Sequence, residues 1–145
     1  MSTTTLNKDA EVRFEEGKVT YAPGDNPVYV AGRRDFFKYR DLGVTTASGG
    51  AMRAQVTSGT QGLTRPTGWH YHVCEGQFIF MLKGWVDLQF EDGRTIRVGE
   101  GDSLYIPGGT KHNEINAARD LDILEISVPA DMGTKPCDKP ASFPG

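Results

Sequence analysis

Apolar and polar residues alternate singly through most of the chain, and glycine, proline, asparagine and aspartate punctuate the alternation. Met52, Ala54 and Val56 interleave with Arg53, Gln55 and Thr57, and Val86, Leu88 and Phe90 interleave with Trp85, Asp87 and Gln89. Period two marks a strand with one covered face. The same pattern predicts strands over 28–31, 35–42, 51–57, 69–73, 77–83, 85–90, 95–98, 103–106, 111–116 and 121–128, with short candidates at 12–14 and 18–21. Asp92-Gly93 is a hairpin signal and the run from Pro23 to Pro27 a turn cluster. No segment carries a convincing helical period. Short strands separated by Gly and Asp turns predict an all-β sandwich or barrel. The strand at 35–42 is apolar on both parities (Phe36 against Phe37 and Tyr39), so it is expected to be covered on both sides or to meet another subunit.

Organisation follows from the same pattern. Residues 1–30 read as an N-terminal arm with the first strands, 31–128 as the barrel, and 129–145 as a tail that holds four of the eight prolines and is expected to be extended rather than sheet. The whole is one domain. A net charge of −3 with interspersed signs gives no basic groove for nucleic acid; Arg33, Arg34, Lys38 and Arg40 lie among aromatic and acidic residues and read as a solvated face. No run approaches the ~18 apolar residues of a membrane span and the first ten residues lack a secretion signal, so a cytoplasmic protein without a membrane or nucleic-acid partner is expected. Cys74 and Cys137 are then free thiols. Cys74 has no adjacent Lys or Arg to activate it and reads as packing.

The chemistry is concentrated in three histidines, all the chain has. His70 and His72, at i and i+2 of a strand, point to one side and can share one ion. His112, with an amide oxygen from Gln77, completes a set of four donors and leaves room for water or substrate. Glu75 is the alternative carboxylate ligand. Three buried imidazoles without an ion would leave ring nitrogens to be satisfied in some other way.

These positions resemble the two motifs of the cupin family. The first appears as His70, His72, Gln77 and Gly84, the second as Gly101, Pro107, Gly109, His112 and Asn116, and together they cover residues 62–116. Two departures stand out: Gln77 occupies the place of the family's usual glutamate, and Thr64 that of an upstream glycine. Glu75 lies two residues out of step with Gly84. The resemblance implies a double-stranded β-helix, a jelly-roll-like barrel, often homodimeric, with one divalent transition ion bound by His70, His72, Gln77 and His112.

Nitrogen and oxygen donors suit Zn, Ni, Fe, Mn or Co. With no anionic ligand the ion keeps its full charge, which favours substrates that bind through an oxyanion. Alternation puts Ile79 and Met81 on the Gln77 side of their strand, so these, with Met52, are the expected substrate-binding wall, whereas Phe78 and Phe80 are assigned to packing or a dimer contact. Glu114, Glu125 and Tyr105 are the acid–base candidates. Cupins with such a neutral set resemble non-oxidative isomerases, cyclases and lyases acting on a small carbonyl- or enolate-bearing anion. The alternatives are a three-histidine iron dioxygenase of diketone-like or aromatic substrates, and a small-molecule-binding barrel without catalysis.

Overall fold

The structure, a computed structural model, describes residues 14–32, 34 and 36–143. Among these, a six-stranded sheet runs in the order β1 (Val28–Val30), β2 (Phe37–Asp41), β3 (Arg53–Gly59), β10 (Leu121–Val128), β5 (Gly76–Lys83), β8 (Ser103–Pro107). A five-stranded sheet runs in the order β11 (Gly133–Pro136), β4 (His70–Val73), β9 (His112–Ala117), β6 (Trp85–Phe90), β7 (Thr95–Gly99). From β3 onward the chain changes sheet at every connection except the β6–β7 hairpin, and every pairing is antiparallel. That connectivity is the expected jelly-roll barrel of two facing sheets. One short helix, α1 (Val44–Ala47), joins β2 to β3.

The inner faces meet at one end in an apolar cluster of Met81, Val86, Leu88, Phe90, Val98, Ile106, Ala117 and Leu121. Each large side chain buried there contributes about 1.5–3 kcal/mol relative to exposure. Strand β9 departs from strict alternation: opposite β6, Asp87 pairs with Asn116 and Leu88 with Glu114, so Ile115 is extra. This bulge lets His112 and Glu114 on one side of it, and Ala117 on the other, all face inward.

Three sequence expectations need correction. Residues 18–21 form no strand; Val19 and Tyr21 are exposed because nothing pairs with them. Of the candidate at 12–14, Val12 and Arg13 lie outside the described residues, and Phe14 is buried without belonging to a strand. The tail is partly sheet: Gly133–Pro136 pair with β4 from Val73 to His70, because β4 would otherwise present an open edge. Within the basic run, Arg33 lies outside the described residues, and Arg40 donates from Nη2 to the carbonyls of Ala22 and Pro23, fastening the N-terminal segment to β2.

Two crossings between the sheets are clamped together. The β4–β5 turn and the β8–β9 turn exchange backbone bonds: Gly108 N–H donates to Glu75 O at 3.0 Å and Gly109 N–H to His72 O at 2.9 Å. A Cβ on Gly108 would fall 1.6 Å from the carbonyl oxygen of Cys74, so this position needs glycine for closeness rather than for dihedral freedom. Gly109 is the opposite case, with φ +82° and open space around it. Gly108→Ala is expected to cost roughly 2–4 kcal/mol of stability, and Gly109→Ala about 1–2 kcal/mol from its left-handed backbone; denaturant unfolding of the two variants checks the ranking.

On the outer face of the five-stranded sheet, Arg97 forms a bidentate pair with Asp87 (2.7 and 2.9 Å) and stacks 3.9 Å over the Trp85 ring. The hydrogen bond from Arg97 holds the Asp87 carboxyl below its ordinary 3.8. A depressed carboxyl stabilises the fold above its unfolded value, and that contribution is lost as pH falls through the folded value. Asp87→Asn is therefore expected to lower Tm by no more than a few degrees at neutral pH, with the deficit closing as the pH drops below 3.8. Thermal melts across that range check it.

Candidate metal centre and its cavity

His70 and His72 come from β4 and His112 from β9, directly opposite His70 in the register. All three are buried, and one ring nitrogen from each lies within 4.8 Å of the others. The rings stand 4.4 to 5.2 Å apart between centroids. Their outward nitrogens are all engaged: His70 Nδ1 with Gly68 O at 2.7 Å, His112 Nδ1 with Thr110 O at 2.9 Å, and His72 Nδ1 with Thr134 Oγ1 at 2.9 Å. A carbonyl can only accept, so His70 and His112 carry their proton on Nδ1 and keep the Nε2 lone pair for the interior. Such outer bonds fix the orientation of metal-binding imidazoles.

Gln77 faces this cluster from the other sheet. Its Nε2 donates to Glu125 Oε2 at 3.4 Å, which turns Oε1 the other way, and that oxygen is buried without a hydrogen-bond partner. His70 Nε2 is orphaned as well. Glu114 Oε2 approaches His70 Nε2 to 3.5 Å, but that is too long for a hydrogen bond and the nitrogen has no proton to give in this tautomer. Two orphaned buried acceptors at one place are what an ion would satisfy. Three imidazole nitrogens and an amide oxygen therefore fit a borderline divalent metal. Glu75 is exposed in the β4–β5 turn and does not reach the cluster.

The cluster opens on a cavity of about 270 Å³ between the sheets. Ile79 lines it, as do Glu114 and Glu125. Glu114 accepts a hydrogen bond from Thr67 Oγ1, and Glu125 from Thr57 Oγ1. Leu63 and Thr67 bring the long loop before β4 into the wall, in keeping with its expected part in ligand contacts. Three sequence candidates lie elsewhere. Met81 is fully buried in the apolar cluster below the cavity, having the inward parity but sitting too far along β5. Met52 precedes β3, where its backbone is tied to Ser48, and does not line the cavity. Tyr105 is 62% exposed, because Leu104 and Ile106 take the inward parity of β8 and leave its ring outside, over Gly76. Cys74 has its thiol pKa raised by burial and by Glu75, the reverse of an activated nucleophile.

Two contributions escaped the sequence reading. Thr134 orients His72 from the tail, where no periodicity signals a strand. Arg53, Gln55 and Thr57 line the cavity although they form the polar side of β3; the polar character of the His and Gln motif opposite was the available signal.

His72→Ala is expected to abolish stoichiometric metal while the β-sheet circular dichroism persists, and Thr134→Val to weaken metal about 10–100-fold. Gln77→Glu is expected to tighten binding and change the order of metal preference. Elemental analysis and competition with a chromogenic chelator check all three; full metal in His72→Ala would refute this ligand set.

Comparison with known proteins agrees with the geometry. Residues 60–127 match the cupin domain family model. No curated protein matches the chain. Among solved structures, KdgF from Halomonas sp. is 15% identical with a TM-score of 0.62, covering 77% of this chain and 96% of its own. The polyketide cyclase RemF from Streptomyces resistomycificus is 19% identical with a TM-score of 0.63, covering 85% and 90%. A salicylate 1,2-dioxygenase from Pseudaminobacter salicylatoxidans is 17% identical with a TM-score of 0.54, covering 73% of this chain and 32% of its own. At these identities the likeness is one of fold. Motif, topology and family match together show that this chain carries a cupin domain over residues 60–127, built on the cupin barrel.

Proposed function

We propose that the chain is a metal-dependent enzyme acting on a small carbonyl- or enolate-bearing organic anion, in a non-oxidative isomerisation, cyclisation or lyase reaction. The observation that carries this reading is Gln77 Oε1, an orphaned buried oxygen on a residue that lines the same cavity as His72 and His112, while the other end of the same amide donates to a carboxylate. When bound, a divalent ion would supply Lewis acidity toward a carbonyl oxygen. The chain's own groups supply the rest. Glu125, held by Thr57 and Gln77, stands on the cavity wall where it can take up and return a proton. Glu114, held by Thr67 beside His70, is the second such group. Leu88, Leu121 and Ile123 make an apolar wall for the carbon skeleton, and the small volume restricts the substrate to a compact molecule. A three-histidine iron dioxygenase is the second reading, supported by the uncharged donor set and by the fold shared with salicylate 1,2-dioxygenase.

Protein purified without chelators is expected to hold close to one transition ion per chain. Under argon in D2O it should exchange α-protons of, or convert, members of a panel of β-diketones and enolisable oxo acids. Glu125→Gln should slow that reaction about 100-fold or more with metal retained. Oxygen uptake coupled to substrate loss would replace this reading with the dioxygenase. Binding without turnover would reduce the protein to a ligand-binding barrel. A folded chain that takes up no transition ion would end both enzyme readings.

A further inference from the structure

Five buried side-chain polar atoms among the described residues lack a hydrogen-bond partner: Arg40 Nε, Arg53 Nε, His70 Nε2, Gln77 Oε1 and Ser127 Oγ. Three of them lie on one register line of the six-stranded sheet, where Arg53 on β3 pairs with Ser127 on β10 and Ser127 pairs with Gln77 on β5. Directly paired residues share a face. Arg53 and Gln77 both line the cavity, so that face is the inner one; His70 stands on the opposite sheet, beside the His72 and His112 rings that line the same cavity. Four of the five orphans thus belong to the two facing walls of one interior. Native interiors leave few polar atoms unpaired, and a concentration of them implies an absent partner. The metal proposed above accounts for His70 and Gln77 but not for Ser127 and Arg53, which begin one and two strand spacings away respectively, about 5 and 10 Å from Gln77 between backbones.

Charge identifies the missing partner. Glu114 and Glu125, the two carboxylates on the wall, are each held by threonine hydroxyls. Arg53 forms no ion pair with any described residue. A partly buried guanidinium without a counter-ion is costly, and its planar fork fits a carboxylate in a way that a lysine would not. We propose that Arg53, with the Ser127 hydroxyl beside it, is the recognition site for a carboxylate on the ligand, and that this carboxylate is separated by a short spacer from the carbonyl oxygen held at Gln77 and the histidines. Arg53 is then the residue that makes the site select acids over neutral carbonyl compounds. The position of the carbonyl end rests on the metal reading; the carboxylate end does not.

The test is calorimetric titration of chelator-free protein with 4-oxo-4-phenylbutanoate and with its methyl ester, which keeps the ketone and loses the charge. The acid is expected to bind at least tenfold more tightly than the ester. Arg53→Met should remove that difference by weakening the acid tenfold or more while leaving the ester unchanged, and Arg53→Lys should recover only part of it. Ester binding reports on the integrity of the barrel, and elemental analysis of the same samples reports the metal. Acid and ester binding alike, no measurable acid binding, or a loss that follows Arg34→Met, at the other arginine lining the cavity, and not Arg53→Met would each overturn the proposal. Samples without metal that still prefer the acid through Arg53 would sink the metal reading and leave this one standing. Metal-loaded samples indifferent to Arg53 would do the reverse.

Discussion

Two turns carry the chain across from one sheet to the other, and backbone hydrogen bonds hold them together. The β4–β5 turn leaves the histidine strand for the Gln77 strand, and the β8–β9 turn returns to the strand that begins with His112. Gly108 lets them approach until a carbonyl of one occupies the space where a side chain of the other would be, and two backbone hydrogen bonds lock the contact. Residues on both sides of that contact are the donors of the site. His72 is itself a hydrogen-bond partner in the clamp through its carbonyl oxygen, so its imidazole is fixed from the backbone outward. The convergence of four side chains from two sheets is therefore a consequence of how two loops pack.

The site's polarity is arranged in shells. Outside the imidazoles, every Nδ1 has a partner drawn from a different segment: the long loop before β4, the β8–β9 turn and the C-terminal strand β11. Inside, unpaired atoms accumulate. Burying polar atoms without partners costs about 1–3 kcal/mol each on mutational scales. A site whose outer nitrogens are all engaged, while His70 Nε2 and Gln77 Oε1 stay buried without a hydrogen-bond partner, is suited to something that binds between the sheets. The apolar cluster below carries the stability that makes such a cavity tolerable, and the division is visible along single strands: Gln77 and Ile79 face the cavity while Met81, two residues on, is core.

Much of this was legible in the sequence because it rests on spacing. Alternation located the ten strands from β1 to β10 to within a residue or two, and placed His70 with His72, Gln77 with Ile79, and His112 with Glu114 on common faces. The choice of inner face was less legible. Alternation tells which residues share a face, and hydropathy was used to decide which face is inside. In β3 that rule inverts: Ala54 and Val56 share the outer face of the six-stranded sheet, paired with Ile126 and Leu124, while Arg53, Gln55 and Thr57 point in. Met52 shares the outward parity of Ala54 and Val56, whereas Tyr105, an acid–base candidate for its hydroxyl, lies outside because Leu104 and Ile106 take the inward parity of β8. Strand β11 was illegible for another reason, since a Gly-Thr-Lys-Pro run becomes a strand only because β4 offers it an edge.

The replacement of a carboxylate ligand by Gln77 also means something different once its surroundings are known. Read from the sequence, an uncharged ligand set leaves an ion with no nearby negative charge. In the fold a carboxylate is present one residue further out, because Glu125 accepts from the Gln77 amide nitrogen while the amide oxygen stays buried without a partner. The amide acts as a spacer that passes on part of the carboxylate's field by polarisation while keeping its oxygens out of the ligand set. A glutamate at position 77 would place charge on the ion directly and would repel Glu125, raising the proton affinity of both. Glutamine avoids that conflict and leaves the Glu125 carboxyl to accept from Thr57 and from the amide. On the reading proposed above, the cavity offers separate positions for a base at Glu125, for a carbonyl oxygen near Gln77 and for an anionic group at Arg53, each on its own strand of one sheet.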